Sequence, residues 1–198
     1  MKHVHRFIVP GLLTLAVACT GAPDTPDTAG QTPRATVAAT TDHVVYGDAF
    51  GGGWEHWSWE TNYVNLASSG YYTGTNSAQV SLKAYGAFSP RFNGAAFSTT
   101  EYKNLNFYAY NASGSTRLKV MVYKDDATIS GSTEVQTTLN SWKGFSIPWS
   151  QVGNPVTVKR IAFQELSGSG SEFYFDEIKL GAATATNPPP APPPASHL

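Results

Sequence analysis

Alternation of apolar and polar residues with a period of two is the feature that most constrains this chain. The alternating segments are residues 78–84, 105–110, 118–123, 160–164 and 173–180. This period places successive side chains on opposite faces of a β-strand, and no segment of the central region sustains the apolar period of an amphipathic helix. Turn-forming residues such as Asn93-Gly94 and Gly153-Asn154-Pro155 separate the segments. The pattern predicts an all-β fold, a single antiparallel β-sandwich of the jelly-roll type.

The alternation also sorts side chains between the two faces of each predicted strand. The apolar phase, which we expect to form the core, consists of Val80, Leu82, Leu105, Phe107, Leu118, Val120, Val122, Ile161 and Phe163. The opposite phase carries Tyr85, Tyr108, Tyr110, Tyr123 and Gln164. These tyrosines are either ordinary strand formers with solvated hydroxyl groups or the lining of a face that receives a ligand.

A tryptophan-rich segment, residues 51–60, adds to this ring content. Trp57 and Trp59 are two residues apart and share one face of a strand, while Trp54 follows three glycines on an expected loop. Rigid rings of this kind can stack on the C–H faces of pyranose sugars at small entropic cost. The segment is therefore interpreted either as a sugar-binding platform or as a set of core side chains. Trp142 is interpreted as structural.

The order of several motifs resembles a known family. The motifs are an initial strand at 44–48, the tryptophan segment, a Gly-Thr-Asn-Ser turn at 74–77, the segment 142–152 and a final strand at 173–180. This order is similar to carbohydrate-binding modules with a galactose-binding-like jelly roll, which occur beside bacterial polysaccharide hydrolases. The resemblance implies a non-catalytic module that binds a β-glucan or another cell-wall polysaccharide. Its expected ligand contacts are Trp54, Trp57, Trp59, Tyr85, Tyr108, Tyr110, Tyr123 and Gln164.

The resemblance also implies a structural calcium ion between the first and last strands. Asp176 is the position that matches the family motif, and Asp48 and Asn76 are the expected co-ligands because calcium takes hard oxygen ligands. The alternative is that the two aspartates accept hydrogen bonds within turns.

An enzyme and a protein-binding adhesin are the competing functions. A glycoside hydrolase or lyase on a jelly roll would need two carboxylates facing each other across a cleft, ~5–5.5 Å apart in retaining glycosidases and ~6.5–9.5 Å apart in inverting ones. Glu134 lies in or near a turn, and Glu165 falls on the core phase or at the end of its strand, so neither is placed for this task. Glu55 and Glu60 flank the tryptophans but point to opposite faces of a strand. We therefore expect no catalytic residues.

The two ends of the chain differ in composition from the centre. Residues 1–18 have the basic start and short apolar run of a signal peptide, residues 19–43 form a polar linker, residues 44–181 the module, and residues 182–198 a proline-rich tail. The chain's only cysteine, Cys19, follows Ala16-Val17-Ala18 and fits a bacterial lipidation site, although an ordinary cleavage site fits as well. We expect an exported protein, either anchored to the outer membrane through Cys19 or extracellular.

The charge balance narrows the possible partners. Charged residues make up only 14% of the chain and the formal net charge is -1. Because binding to nucleic acid requires a basic stripe that neutralises several phosphates, we exclude that class of partner. We expect a monomer whose partner is a polysaccharide.

Overall fold

The computed structural model describes residues 41–182, which form thirteen β-strands and one short 3-10 helix. The first strands are β1 (His43–Tyr46), β2 (Trp54–His56), β3 (Trp59–Ser68), β4 (Ser77–Phe88), β5 (Pro90–Phe92), β6 (Phe97–Ser98) and β7 (Tyr102–Ser113). The remaining strands are β8 (Arg117–Tyr123), β9 (Ile129–Gln136), β10 (Trp142–Pro148), β11 (Thr157–Val158), β12 (Arg160–Glu165) and β13 (Ser171–Ala182). The 3-10 helix, Trp149–Val152, follows β10.

All strand pairings are antiparallel. Eleven strands form one hydrogen-bonded sheet that folds into two layers sharing β4, called here the first and second sheets, and β6 and β11 form a separate two-stranded sheet. In the first sheet the order is β10-β7-β13-β4-β3, with β1 paired to the end of β13. The start of β3 extends into the second sheet, because Trp59 pairs with Ala87 of β4. In the second sheet β9, β8 and β12 are neighbours, and β12 also pairs with β5, which pairs with β2. Residues 78–82 of β4 pair with β13, whereas residues 87–88 pair with β12. This arrangement confirms the predicted jelly-roll β-sandwich.

A local bend in the β3–β4 hairpin carries the chain from one sheet to the other. Tyr85 and Glu60 both have left-handed backbone angles, with φ of 58° and 46°. Gly86 lies beside this bend, and a Cβ at that position would collide with the carbonyl oxygen of Glu60. Bulges with an unpaired residue sharpen strand twist, which is how one strand can serve two sheets.

The core between the sheets consists of the residues that the alternation predicted. All nine expected core side chains, including Leu82, Phe107 and Phe163, are buried. Phe88 adds a ring from the shared strand, and its centroid lies 5.3 Å from that of Phe175 in a near-parallel arrangement. Burial of each such side chain contributes about 1.5–3 kcal/mol to folding, so this layer supplies the main stabilisation.

The module extends slightly beyond the predicted range of 44–181. β1 begins at His43 and β13 ends at Ala182, whose N–H donates to Oδ1 of Asp42 over 2.9 Å. The predicted signal peptide, most of the predicted linker, Cys19 and all but the first residue of the proline-rich tail lie outside the described residues. Within residues 41–182, the structure has no helix of the length and apolar character needed to cross a membrane.

Candidate functional site

The outward side of the second sheet carries the aromatic surface that we call the tryptophan face: Trp57, Trp59, Tyr123, Arg160 and Gln164. On β12, Arg160 and Gln164 alternate with core residues, so they point away from the core. Tyr123 lies directly opposite Arg160 on β8. Beneath the rings lies a small apolar layer that packs against Trp59. It consists of Ala87, Met121 and Ala162.

Trp57 is the most exposed ring of this face, with 42% of its surface accessible. It lies between β2 and β3, where its backbone N–H donates to the carbonyl of Ser89 over 2.7 Å. Its Nε1 donates to Oε1 of Glu55 over 3.0 Å, and the Cζ of Arg91 lies 4.3 Å from its ring centroid. The ring is therefore fixed in orientation while it remains open to solvent.

Arg160 connects the three rings of the face. Its Cζ lies 4.7 Å from the ring centroid of Tyr123, 5.1 Å from that of Trp59 and 5.9 Å from that of Trp57. Its Nε donates to Oγ of the buried Ser89 over 2.7 Å. Guanidinium groups within about 6 Å of a ring face are attracted by the ring quadrupole, so Arg160 stabilises the arrangement of all three rings.

Gln164 and Tyr85 lie at the other end of β12. Nε2 of Gln164 donates to the carbonyl of Tyr85, whose side chain is 58% exposed. The buried Glu165 accepts the backbone N–H groups of Tyr85, Ser167 and Gly168. Burial alone would raise the pKa of Glu165, but hydrogen bonds from the hydroxyl of Ser167 and from these backbone groups outweigh it and hold the pKa below its usual value. Glu165 is thus a carboxylate that connects the bend of β4 at Tyr85 to the loop after β12.

Tyr108 and Tyr110 do not belong to the tryptophan face, which corrects the prediction that they contact the ligand together with the tryptophans. Both are buried on the outer side of the first sheet, in a group that we call the tyrosine cluster: Tyr72, Tyr108, Tyr110, Trp142 and Tyr174. The rings of Tyr72 and Tyr108 stack 3.6 Å apart, and Trp142 packs 5.6 Å from Tyr110. Tyr123 is on the predicted face, but it is only 7% exposed, so it supports the other rings.

Trp54 is a core residue, which corrects its assignment to a ligand-binding loop. It is 6% exposed, and its ring stacks parallel to that of Phe97 with centroids 5.9 Å apart. Its Nε1 donates to Nε2 of His43 over 3.0 Å. Burial lowers the pKa of His43, which favours the neutral ring that can accept this hydrogen bond.

Two of the three predicted calcium ligands, Asp48 and Asp176, accept hydrogen bonds from the loop at residues 72–76, and the third, Asn76, belongs to that loop. Asp176 is fully buried, and its Oδ2 accepts the backbone N–H groups of Tyr72 and Thr73. Oδ1 of Asp48 accepts the N–H groups of Thr75 and Asn76. Among the described residues, no group of three or more His, Cys, Asp or Glu side chains is arranged to hold a metal ion. The calcium site stays a prediction.

Two carboxylates near the tryptophan face are engaged with Arg91. Its Nε and Nη2 donate to both oxygens of Asp126, each over 2.8 Å, and its Nη1 donates to Oε1 of Glu55 over 2.9 Å. The hydrogen bonds from Arg91 hold the pKa of Asp126 below its usual value. A glycosidase acid needs a raised pKa, so Asp126 has the opposite electrostatic environment.

A family model described as the expansin-like protein C-terminal domain matches residues 45–183. The chain belongs to this family. No curated protein matches the chain. The predicted resemblance to carbohydrate-binding modules is confirmed by solved structures. One variant of a family 29 carbohydrate binding module is 20% identical, covers 75% of this chain and 99% of its own, and has a TM-score of 0.55.

Two further variants of the family 29 module are similar to this expansin-like domain. One, solved in complex with mannohexaose, is 16% identical, covers 71% of this chain and 92% of its own, and has a TM-score of 0.53. The other, complexed with cellulohexaose, is 18% identical with the same coverage and a TM-score of 0.52. At these identities the likeness is one of fold. Family and fold together agree with the predicted non-catalytic module.

Sequence reasoning missed the charged residues that support the site. Arg91 and Asp126 are 35 positions apart and fall in different elements, so no spacing links them. Arg160 was visible only as one polar residue in the outward phase of β12. A signal existed in its position, because it stands four residues before Gln164 on the same face.

Proposed function

We propose that this domain binds a polysaccharide chain, a β-glucan or a similar cell-wall polymer, on the tryptophan face without cleaving it. The observation that carries the proposal is Trp57, an exposed indole held in one orientation beside Trp59 and Arg160. A pyranose ring presents a face of C–H groups that stacks on such a ring. Because the indole is ordered before binding, little conformational entropy is lost when the sugar arrives.

Polar groups beside the rings supply the hydrogen bonds that a sugar needs. Arg160 has only donors, and Gln164 has both a donor and an acceptor, which suits hydroxyl groups that can do either. Gln164 lies four residues beyond Arg160 on β12, a span of about 13 Å at the usual strand rise. This length favours a chain of several sugars over a monosaccharide. The family 29 neighbours in complex with mannohexaose and cellulohexaose support the same ligand class.

The test compares two aromatic residues of equal exposure on opposite sheets. Trp57 and Tyr63 are both 42% exposed, but Tyr63 lies on β3 of the first sheet, where its hydroxyl accepts a hydrogen bond from Gln79. We expect Trp57→Ala to weaken binding of cellohexaose or mannohexaose about tenfold, a change of ~1.4 kcal/mol, with little change in melting temperature. Tyr63→Ala should leave the affinity unchanged.

The same titrations also test whether the protein is a hydrolase. Reducing-sugar release is assayed in the binding mixtures, and release by the pure protein would establish a hydrolase instead. If the wild-type domain bound none of a panel of soluble and insoluble polysaccharides, the proposal would be wrong.

The proposal extends to the export of the protein and to a calcium ion. We propose that the domain is exported by a bacterium through residues 1–18, with Cys19 as the point of lipid attachment, and that it acts as a monomer. A calcium ion held by Asp48, Asn76 and Asp176 is proposed as a stabiliser of the 72–76 loop. The supports are the short apolar run, the position of Cys19 and the oxygen-rich side chains around that loop.

A further inference from the structure

The orientation of the exposed Trp57 indole is explained by the contacts that surround it. Trp57 belongs to a connection of two residues between β2 and β3, outside the strand pairing that orders its neighbours. An exposed side chain in such a connection normally samples several rotamers, and ordering it on binding would cost affinity. The contacts on both the edge and the face of this indole remove that freedom.

Glu55 holds the edge of the ring. Its Oε1 accepts the indole N–H of Trp57 over 3.0 Å and also the Nη1 of Arg91 over 2.9 Å. Glu55 and Arg91 stand opposite each other in the β2–β5 register, so the backbone places this pair. The guanidinium of Arg91 then lies 4.3 Å from the centroid of the Trp57 ring and covers one face.

Asp126 fixes the guanidinium in turn. It comes from the loop between β8 and β9 and accepts two parallel hydrogen bonds from Arg91, whose side chain is only 14% exposed. Bidentate pairs of this kind fix the plane of a guanidinium as well as its position. The backbone carbonyl of Asp126 also accepts Nη1 of Arg160 over 3.1 Å, which ties the same loop to the second arginine of the face.

We infer that Glu55, Arg91 and Asp126 form a clamp that sets the orientation of Trp57, and that they act in sugar binding as positioning residues. Each carboxylate holds Arg91, and Arg91 covers one face of the ring, so the inference assigns their contribution to affinity to the orientation of Trp57. This inference rests on the proposed function for its effect on affinity, but the order of the indole can be measured without any ligand.

The first measurement uses the ligand-free domain. Asp126→Asn removes the charge that holds Arg91 and keeps nearly the same volume, so we expect the NMR order parameter of the Trp57 indole N–H to fall. Glu134→Gln is the matched control, since Glu134 on β9 pairs with the exposed Arg117 at the other end of β8. An indole that stayed as ordered in Asp126→Asn as in the wild type would overturn the clamp.

The second measurement is a double-mutant cycle on cellohexaose affinity. We expect Asp126→Asn to weaken binding several-fold in the wild-type background and to have no effect in the Trp57→Ala background, because a residue that acts only through the ring loses its effect with the ring. The same several-fold loss in both backgrounds would mean that Asp126 contacts the sugar directly, and the inference would be wrong. Failure of the wild-type domain to bind any oligosaccharide would overturn the proposed function, while the indole measurement would still decide the clamp.

Discussion

Trp54 and Trp57 are three residues apart, yet one is 6% exposed and the other 42%. The difference follows from their elements. Trp54 begins β2 and points into the core, where its ring packs against Phe97 and its N–H donates to His43. Trp57 follows the end of that strand, and its ring packs against the guanidinium of Arg91. A buried ring contributes to the free energy of unfolding, whereas an exposed one is accessible to a ligand.

Truncation of Trp54 should therefore destabilise the domain without changing its site. We expect Trp54→Ala to lower the free energy of unfolding by about 3–5 kcal/mol, the usual cost of deleting a buried tryptophan side chain. Urea unfolding of this variant beside Trp57→Ala measures the difference. Affinity for cellohexaose per folded molecule should stay at the wild-type value in Trp54→Ala, and a loss of affinity with unchanged stability would return Trp54 to the site.

The sequence predicted buried positions well but did not distinguish these two tryptophans. Period two assigned Leu82, Phe107 and Phe163 to the core because alternation reports the face of a regular strand. Three glycines before Trp54 suggested a loop, but the strand begins directly after them, at Trp54 itself. Local composition could not show this, because β5 provides the partner of this short strand from more than thirty positions away.

At the scale of elements, the loop that connects β3 and β4 is held in place by hydrogen bonds to β13. Asp176 of β13 accepts two backbone N–H groups from this loop and is fully buried. Burial raises the pKa of Asp176 to about 6, against the opposing effect of those hydrogen bonds. A carboxyl group whose folded pKa lies above its unfolded value stabilises the fold most when it is protonated.

The raised pKa of Asp176 predicts how the free energy of unfolding depends on pH. The contribution of Asp176 is fully present below about pH 4 and is lost as the pH rises through about 6, by roughly 3 kcal/mol at most. Urea unfolding between pH 4 and pH 7, in the presence of a chelator, should show this loss in the wild type and a flatter profile in Asp176→Asn. Parallel profiles for the two proteins would show that another group titrates.

Calcium should offset this loss of stability at higher pH, because the ion favours the ionised form of Asp176. If Asp48, Asn76 and Asp176 bind the ion, calcium at a hundred times its Kd should stabilise the fold by about 2.7 kcal/mol. Differential scanning calorimetry with millimolar calcium, and then with chelator, measures this as a shift in melting temperature. Asp125→Asn is a suitable control, since Asp125 caps a turn between β8 and β9. Equal melting with and without calcium would leave Asp48 and Asp176 as acceptors of turn hydrogen bonds.

At the scale of the whole molecule, the rings are divided between two sheets. Tyr110 pairs with Tyr174 and Trp142 across the first sheet, whereas Tyr123 pairs with Arg160 in the second. Alternation placed Tyr110 and Tyr123 in the same outward phase, because period two reports the face of a strand and carries no information about the sheet to which it belongs. Strand pairing is decided by contacts between distant segments, so the division could not be predicted from local sequence.

The proposed attachment of the protein to a membrane involves Cys19, which lies outside the described residues. If Cys19 carries lipid, the acyl chains contribute ~0.8 kcal/mol per buried CH₂, which is enough for a large partition into the membrane. We expect Cys19→Ala to move the protein from the membrane fraction to the soluble exported fraction. The variant should keep the wild-type affinity for cellohexaose, because the described domain begins more than twenty residues later. Fractionation of cells expressing each form measures the change, and a variant that stayed in the membrane fraction would show that Cys19 is not the anchor.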